Sequence, residues 1–231
     1  MGTTAGPVEA QLMNLHSHYA GQRVLVTGHT GFKGSWLVAW LHRMGALVTG
    51  YSIDIPTKPS LFEVLGAADM CEHQLGDVND FAALSACVRD GQFDTVFHLA
   101  AQPLVRLSYA QPLATLATNV VGTANVLEAV RAAGRPCAVV VVTSDKCYEN
   151  TGNLWGFRET DPMGGSDPYS MSKGAAELVV SSWRRSYFSG RDSIVRVASA
   201  RAGNVIGGGD WAADRIVPDC VAALRAGRAI Q

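Results

Sequence analysis

Short runs of β-branched and apolar residues at Arg23–Thr27, Ala46–Tyr51, Thr95–Leu99, Ala138–Thr143 and Ser193–Ala200 alternate with stretches of helical periodicity. The helical stretches are Phe32–Met44, Asp80–Asp90, Leu113–Ala133 and Tyr169–Tyr187, and a weaker strand pattern at His73–Leu75 ends in Gly76-Asp77. Repeated strand–helix–strand units return each strand parallel to an earlier one, so the alternation predicts an α/β fold. The expected architecture is Rossmann-type: a doubly wound parallel sheet with helices on both faces. Within the first helix Leu37, Trp40, Leu41 and Met44 recur at helical spacing and read as one core-facing stripe.

Composition excludes several classes. A net charge of −1 leaves no electrostatic footprint for nucleic acid or an anionic membrane. The five cysteines are an odd number with no Cys-x-x-Cys, which argues against a disulfide framework and against a metal site. No unbroken run of about 18 apolar residues is present, and the start lacks a basic, then apolar, leader, so a cytoplasmic chain is expected. Residues 1–20 show no clear periodicity and read as a loose, partly disordered lead-in.

The first strand runs into Thr27-Gly28-His29-Thr30-Gly31-Phe32-Lys33-Gly34 and then a helix. Glycines at this spacing let backbone approach a pyrophosphate, whose charge the helix N-terminus stabilises. Asp54 follows the second strand, where a carboxylate accepts hydrogen bonds from ribose hydroxyls; the alternative is a solvated loop carboxylate. No arginine adjoins it, which favours NAD over NADP, although Lys58 is near. Asp77, with Val78 after it, ends the third strand, placed either to reach an adenine or to close a turn. The fourth strand leads into Leu99-Ala100-Ala101-Gln102, small enough for close passage of a dinucleotide, while His98 reads as a satisfied buried histidine. Asn119 is either an exposed helical residue or a brace for the active-site backbone.

Two polar clusters fall where an open α/β sheet places ligands, at the carboxyl ends of its strands. The strand Ala138–Thr143 ends in Ser144-Asp145-Lys146, and Tyr169 and Lys173 stand four apart on one helix face. A phenol titrates near pH 10, and an adjacent ammonium favours its phenolate, which makes Tyr169 a usable proton acceptor. Lys146 can act as a base only if its proton affinity falls; it can equally pair with Asp145, stabilise an enolate, or belong to a plain surface turn. Cys147 reads as packing.

The stretches TGHTGFKGSWL (27–37), FHLAAQPLVRLSY (97–109), SDKCYEN (144–150), DPYSMSKG (167–174) and RAGNVIGGGDWAADRIVPD (201–219) resemble the nucleotide-sugar dehydratases of the extended short-chain dehydrogenase/reductase family. The resemblance covers the chain from about residue 21 onward. It implies a Rossmann domain over 21–200 that binds NAD through Gly28, Thr30, Gly31, Phe32, Lys33, Gly34, Asp54, Asp77, Val78, Leu99, Ala100, Ala101, Asn119, Thr143, Tyr169 and Lys173. It implies catalysis by Ser144, Asp145, Lys146, Tyr169 and Lys173, and substrate contacts from Gln102, Arg106, Asn204, Trp211 and Arg215. Relatives acting on dTDP-glucose carry Asp-Glu where Asp145-Lys146 stands here, and that difference implies CDP-glucose as substrate.

The reaction so implied oxidises C4, removes water across C5 and C6 and returns hydride to C6, as in deoxysugar synthesis for cell-surface polysaccharide. In it Tyr169 takes the C4 hydroxyl proton, and Asp145 is the acid for the leaving hydroxyl. Family members form homodimers through the helices at 113–133 and 169–187. They also continue past the equivalent of Gln231 into a cap domain, so residues 201–231 are expected to be a truncated start of it. The alternatives are another hexose dehydratase, a 4-epimerase, or a catalytically silent NAD(H)-binding module.

Overall fold

The computed structural model describes residues 14–152 and 154–230. Strands β1 (Arg23–Thr27), β2 (Leu47–Ser52), β3 (Glu72–Leu75), β4 (Thr95–His98), β5 (Cys137–Val142) and β6 (Val195–Ala200) form one parallel sheet. Their order is β3-β2-β1-β4-β5-β6, the doubly wound order expected from the alternation. Chain direction across the sheet reverses between β1 and β4, which opens a crevice at the carboxyl ends of those strands.

Beyond the helical residues 14–19, the helices are α1 (Phe32–Arg43), α2 (Leu61–Val64), α3 (Phe81–Gly91), α4 (Val105–Ala110), α5 (Pro112–Leu116), α6 (Gly122–Ala133), α7 (Pro168–Tyr187) and α8 (Ile216–Arg225), with three short 3-10 or π turns among the described residues. The sheet is apolar on both faces because helices cover both. On one face Leu84, Val88, Val126, Leu127, Val130 and Val180 pack over Leu25, Val96 and Val139. On the other, Val38, Leu41 and Met44 pack over Val24, Val26 and Val48. The alternation of Val24, Leu25 and Val26 between the two cores follows from the two-residue period of a strand.

Three details depart from expectation. Trp40 is 49% exposed, and Val38 takes its place in the core-facing stripe of α1. Residues 14–19 are helical, and Leu15 and Tyr19 pack against the second core; the rest of the expected lead-in, 1–13, lies outside the described residues. The single helix expected over 113–133 is interrupted by a π turn at Ala117–Val121. That turn shifts the side-chain register and brings Asn119 inside. Taken through it, Pro112–Ala133 has the length and hydropathy to cross a membrane, yet it lies against α3 and α7 with Val126, Leu127 and Val130 buried.

Candidate active site

A cavity of about 1110 Å³ lies at the carboxyl ends of the strands. Its floor is the turn after β1. Gly28 has φ +73°, and a Cβ there would stand 2.6 Å from the Ala100 amide nitrogen, so the two chain segments touch because residue 28 has no side chain. A side chain on Gly34 would run into the Gly28 carbonyl. The N-terminus of α1 carries no side-chain cap, leaving its first-turn amides for a ligand. Thr30 Oγ1 donates to the Asp54 carbonyl at 2.5 Å, which ties the turn to the end of β2 and leaves the exposed Asp54 carboxylate on the cavity. Asp77 also lines it, while its Oδ1 accepts from the Asn79 amide at 2.9 Å and closes a turn. These features fit a dinucleotide: a backbone cradle, open amides for phosphate and a carboxylate just past the end of the next strand on the same cavity.

Gly31, Phe32, Lys33, Val78, Leu99, Ala101 and Thr143 line the same cavity, as do Ser144, Lys146, Tyr169 and Lys173. Asp167 caps α7 by accepting from the Ser170 amide at 2.9 Å, and Pro168 occupies the first turn, so the helix starts just before Tyr169. Tyr169 and Lys173 are both buried, with the Lys173 ammonium 6.0 Å from the phenol ring centre. Burial, and next the charge of Lys33, push Lys173 down to about 8, against the opposing pull of Glu177 and Cys147.

Tyr169 behaves differently from the expectation that Lys173 would favour its phenolate. Burial raises its proton affinity on balance, and the groups that lower it are the Ser144 hydroxyl and Arg215. Lys173 is not among the groups that set this balance, although its ammonium stands over the Tyr169 ring, 6.0 Å from the ring centre. Lys33, expected among the NAD-binding residues, is itself pushed down by burial and then by Arg215, and Lys33, Lys173 and Arg215 all line this cavity.

Three expected site residues are not brought onto this cavity. Asp145 takes a hydrogen bond from Ser144 Oγ at 3.0 Å and faces a neighbouring cavity of about 690 Å³. Among the described residues it forms no ion pair with Lys146. Gln102 folds back on its own turn: Nε2 donates to Thr115 at 2.8 Å, and Oε1 accepts from the Leu104 amide at 2.6 Å. Asn119 is buried, bonded to both backbone groups of Gln102 and to Ser172, and so braces the backbone instead of contacting a cofactor. His98 is satisfied as expected, between Thr27 at 2.7 Å and Thr123 at 3.1 Å. Burial, with Lys173 second, pushes it down to about 3. Cys147 is fully buried, and burial raises its thiol to about 11, in keeping with packing.

The segment after β6 closes the far side with Asn204, Trp211 and Arg215. Arg215 stands 3.6 Å from Asp210, and Arg106, also on the cavity, pairs with Asp214 at 3.0 Å. Trp36 Nε1 donates to the Gly208 carbonyl at 3.0 Å, docking the glycine-rich segment onto α1. Two features escaped the sequence reading. His29 is buried between Ser52 at 2.8 Å and His73 at 2.7 Å, which holds the glycine turn against β3. Glu177 continues the Tyr169–Lys173 face by one more turn, a spacing that was visible in the sequence.

The fold is that of a Rossmann-type short-chain dehydrogenase/reductase. Residues 25–200 match the model of the GDP-mannose 4,6 dehydratase family, and the chain belongs to that family. It is 56% identical, over 87% of its length, to the CDP-glucose 4,6-dehydratase of Salmonella typhimurium, of which it covers 57%. It is 36% identical, over 71% of its length, to the dTDP-glucose 4,6-dehydratase of Mycolicibacterium smegmatis, of which it covers 50%. Among solved structures it is similar to DesIV, a dTDP-glucose 4,6-dehydratase from Streptomyces venezuelae crystallised with NAD bound. That likeness has a TM-score of 0.77 at 26% identity and covers 89% of this chain and 62% of DesIV. The chain thus spans between half and about three fifths of the length of these proteins.

Proposed function

We propose that this chain carries the cofactor-binding and reacting part of an NAD-dependent enzyme that converts CDP-glucose to CDP-4-keto-6-deoxyglucose. The observation that carries the reading is the 56% identity with the CDP-glucose enzyme, set against 36% with a dTDP-glucose enzyme, in a chain whose acid–base residues meet on one cavity. The Gly28–Gly34 turn, Asp54, Asp77 and Leu99–Ala101 would hold NAD. NAD, when bound, supplies hydride acceptance at C4 of the sugar and hydride return at C6.

Tyr169 is the proton acceptor for the C4 hydroxyl, and Ser144, whose hydroxyl lowers the phenol's proton affinity, shares that oxygen. Lys173, ordinarily protonated at neutral pH even at its lowered value, keeps a positive charge beside the phenol as negative charge develops. Lys146 is the one ionisable side chain of the 144–146 turn that faces this cavity, which supports it as the group that takes the C5 proton. Asp145 reaches the site only through Ser144, so its part in the departure of the C6 hydroxyl runs through that hydroxyl. Arg215, Arg106, Asn204 and Trp211 offer cations, an amide and a ring to a diphosphate and its base. Residues 201–231 belong, on this reading, to the nucleotide-sugar-binding part.

A homodimer through α5–α6 and α7 is part of the same reading, supported by exposed Leu113, Val121, Met171 and Leu178 on those helices. A cytoplasmic setting agrees with free thiols at all five cysteines. The test is to incubate the protein and NAD with CDP-glucose, dTDP-glucose and UDP-glucose and follow loss of one water by mass spectrometry. Preferential dehydration of CDP-glucose supports the reading; preference for another nucleotide removes the CDP assignment.

A further inference from the structure

Glu177 is 5% exposed and stands one helical turn beyond Lys173 on α7. Its carboxylate joins three elements that the chain must otherwise align over long sequence distances. Oε1 accepts a short hydrogen bond from Thr143, the residue directly before Ser144. Oε2 accepts from Ser199 Oγ and from Arg201 Nη2, each at 2.8 Å. Arg201 in turn donates to the Tyr148 hydroxyl at 2.8 Å and stacks over that ring at 5.0 Å, which fixes the other end of the 144–148 turn. The backbone repeats the link, since the Thr143 amide donates to Ala200 at 2.9 Å and the Asp145 amide to Ala202 at 3.0 Å.

We propose that Glu177 is a positioning residue: it locks the strand end that presents Ser144 to the helix that presents Tyr169 and Lys173, and it stands one helical turn from the Lys173 ammonium on the same face. The inference rests on the proposed roles of Ser144, Tyr169 and Lys173, which lie on the adjoining cavity. A carboxylate used only for stability would need no particular relation to them. Here every side-chain partner it has sits at the end of a strand that carries or flanks a reacting group, and misplacement of such groups by about 1 Å can cost about 100-fold in rate. Burial works against its charged form, but the hydrogen bonds from Arg201, Thr143 and Ser199 outweigh it and hold the carboxyl below its usual value. The groups facing Lys173 are Lys33, His98, Cys147, Tyr169 and Glu177, and among them the Glu177 influence is the larger of two that favour its charged form.

Two variants separate positioning from plain stability. Glu177→Gln keeps the shape and removes the charge, whereas Arg201→Met breaks the same ion pair and leaves the carboxylate. The proton affinity of Lys173 can be read without substrate, from the pH dependence of its reductive labelling resolved by mass spectrometry. Glu177→Gln should move that midpoint down by about one unit, and Arg201→Met should leave it in place or raise it. With CDP-glucose and NAD, Thr143→Val should lower kcat for C4 oxidation by about 10- to 100-fold with KM little changed. Equal midpoints in wild type and Glu177→Gln, or a Thr143→Val enzyme with undiminished kcat, would overturn the proposal. If Glu177→Gln does not fold, a downward shift in Arg201→Met overturns it instead. If wild type does not oxidise CDP-glucose while the labelling shift appears, the functional reading fails and the Glu177–Lys173 link stands.

Discussion

Asn119 holds both backbone groups of Gln102: its Oδ1 accepts from the Gln102 amide at 2.8 Å, and its Nδ2 donates to the Gln102 carbonyl at 3.1 Å. The same Nδ2 donates to Ser172 Oγ at 2.9 Å, beside Lys173 in the sequence. One side chain thus fastens the chain after β4 to α7, and it can do so because the π turn aims it inward.

Asn119→Ala would take the side-chain partner from both the amide and the carbonyl of half-buried Gln102. Two such orphaned groups cost together about 2–5 kcal/mol. A fall in Tm of about 5–15 °C by calorimetry is expected for a chain of this size. A fall of a degree or less would show that the backbone finds other partners.

His98 makes stability depend on acid. Its folded-state value of about 3 lies below the ordinary 6.5, so the unfolded chain binds more protons between those limits. Stability from this source is therefore complete above about pH 6.5 and is lost as pH falls toward 3, by up to about 1.4 kcal/mol per pH unit. His29, pushed to about 4 by burial and by His73, adds in the same direction over the upper part of that window. Urea midpoints measured from pH 7 to pH 4 should fall, and more gently in His98→Gln, which cannot take up a proton. Parallel curves for the two proteins would assign the acid sensitivity elsewhere.

The Asp54 carboxylate ends the pocket where a ribose would lie and would repel a 2′-phosphate. NAD is expected to bind at least about tenfold more tightly than NADP, a difference of about 1.4 kcal/mol, and Asp54→Ala should narrow the gap. Fluorescence titration measures both. Equal binding by wild type would remove this role from Asp54.

The sheet was legible because β1 and β2 are buried almost throughout and the remaining strands, apart from the polar β3 and His98 at the end of β4, keep β-branched or apolar residues at their buried positions, and the glycine turn because Gly28 and Gly34 leave no room for a side chain. Tyr169 and Lys173 could be picked out because their four-residue spacing puts both on one helix face and that helix follows the strand ending in Thr143-Ser144. What the sequence hid was direction within turns. Asp145 and Lys146 are neighbours, yet a 3-10 turn at Asp145–Cys147 sends Asp145 to one cavity and leaves Lys146 on another. Trp40 fitted an apolar stripe, but periodicity cannot tell a half-exposed edge of the stripe from its centre. Gln102 sits in the expected strand-end segment, and only the local hydrogen bonds show that its side chain turns back into the protein.

The central claim is best tested with CDP-glucose deuterated at C4, NAD and the protein, together with its Lys146→Ala and Tyr169→Phe variants. The wild type should yield the 4-keto-6-deoxy sugar with deuterium at C6, because the hydride removed at C4 is the one returned. Lys146→Ala should carry out the first oxidation and accumulate bound NADH, while Tyr169→Phe should slow that first step about 100- to 10,000-fold. Deuterium retained at C4 of an epimerised sugar would show an epimerase, and NAD binding with no turnover of the sugar would show a silent dinucleotide module; either result would contradict the assignment.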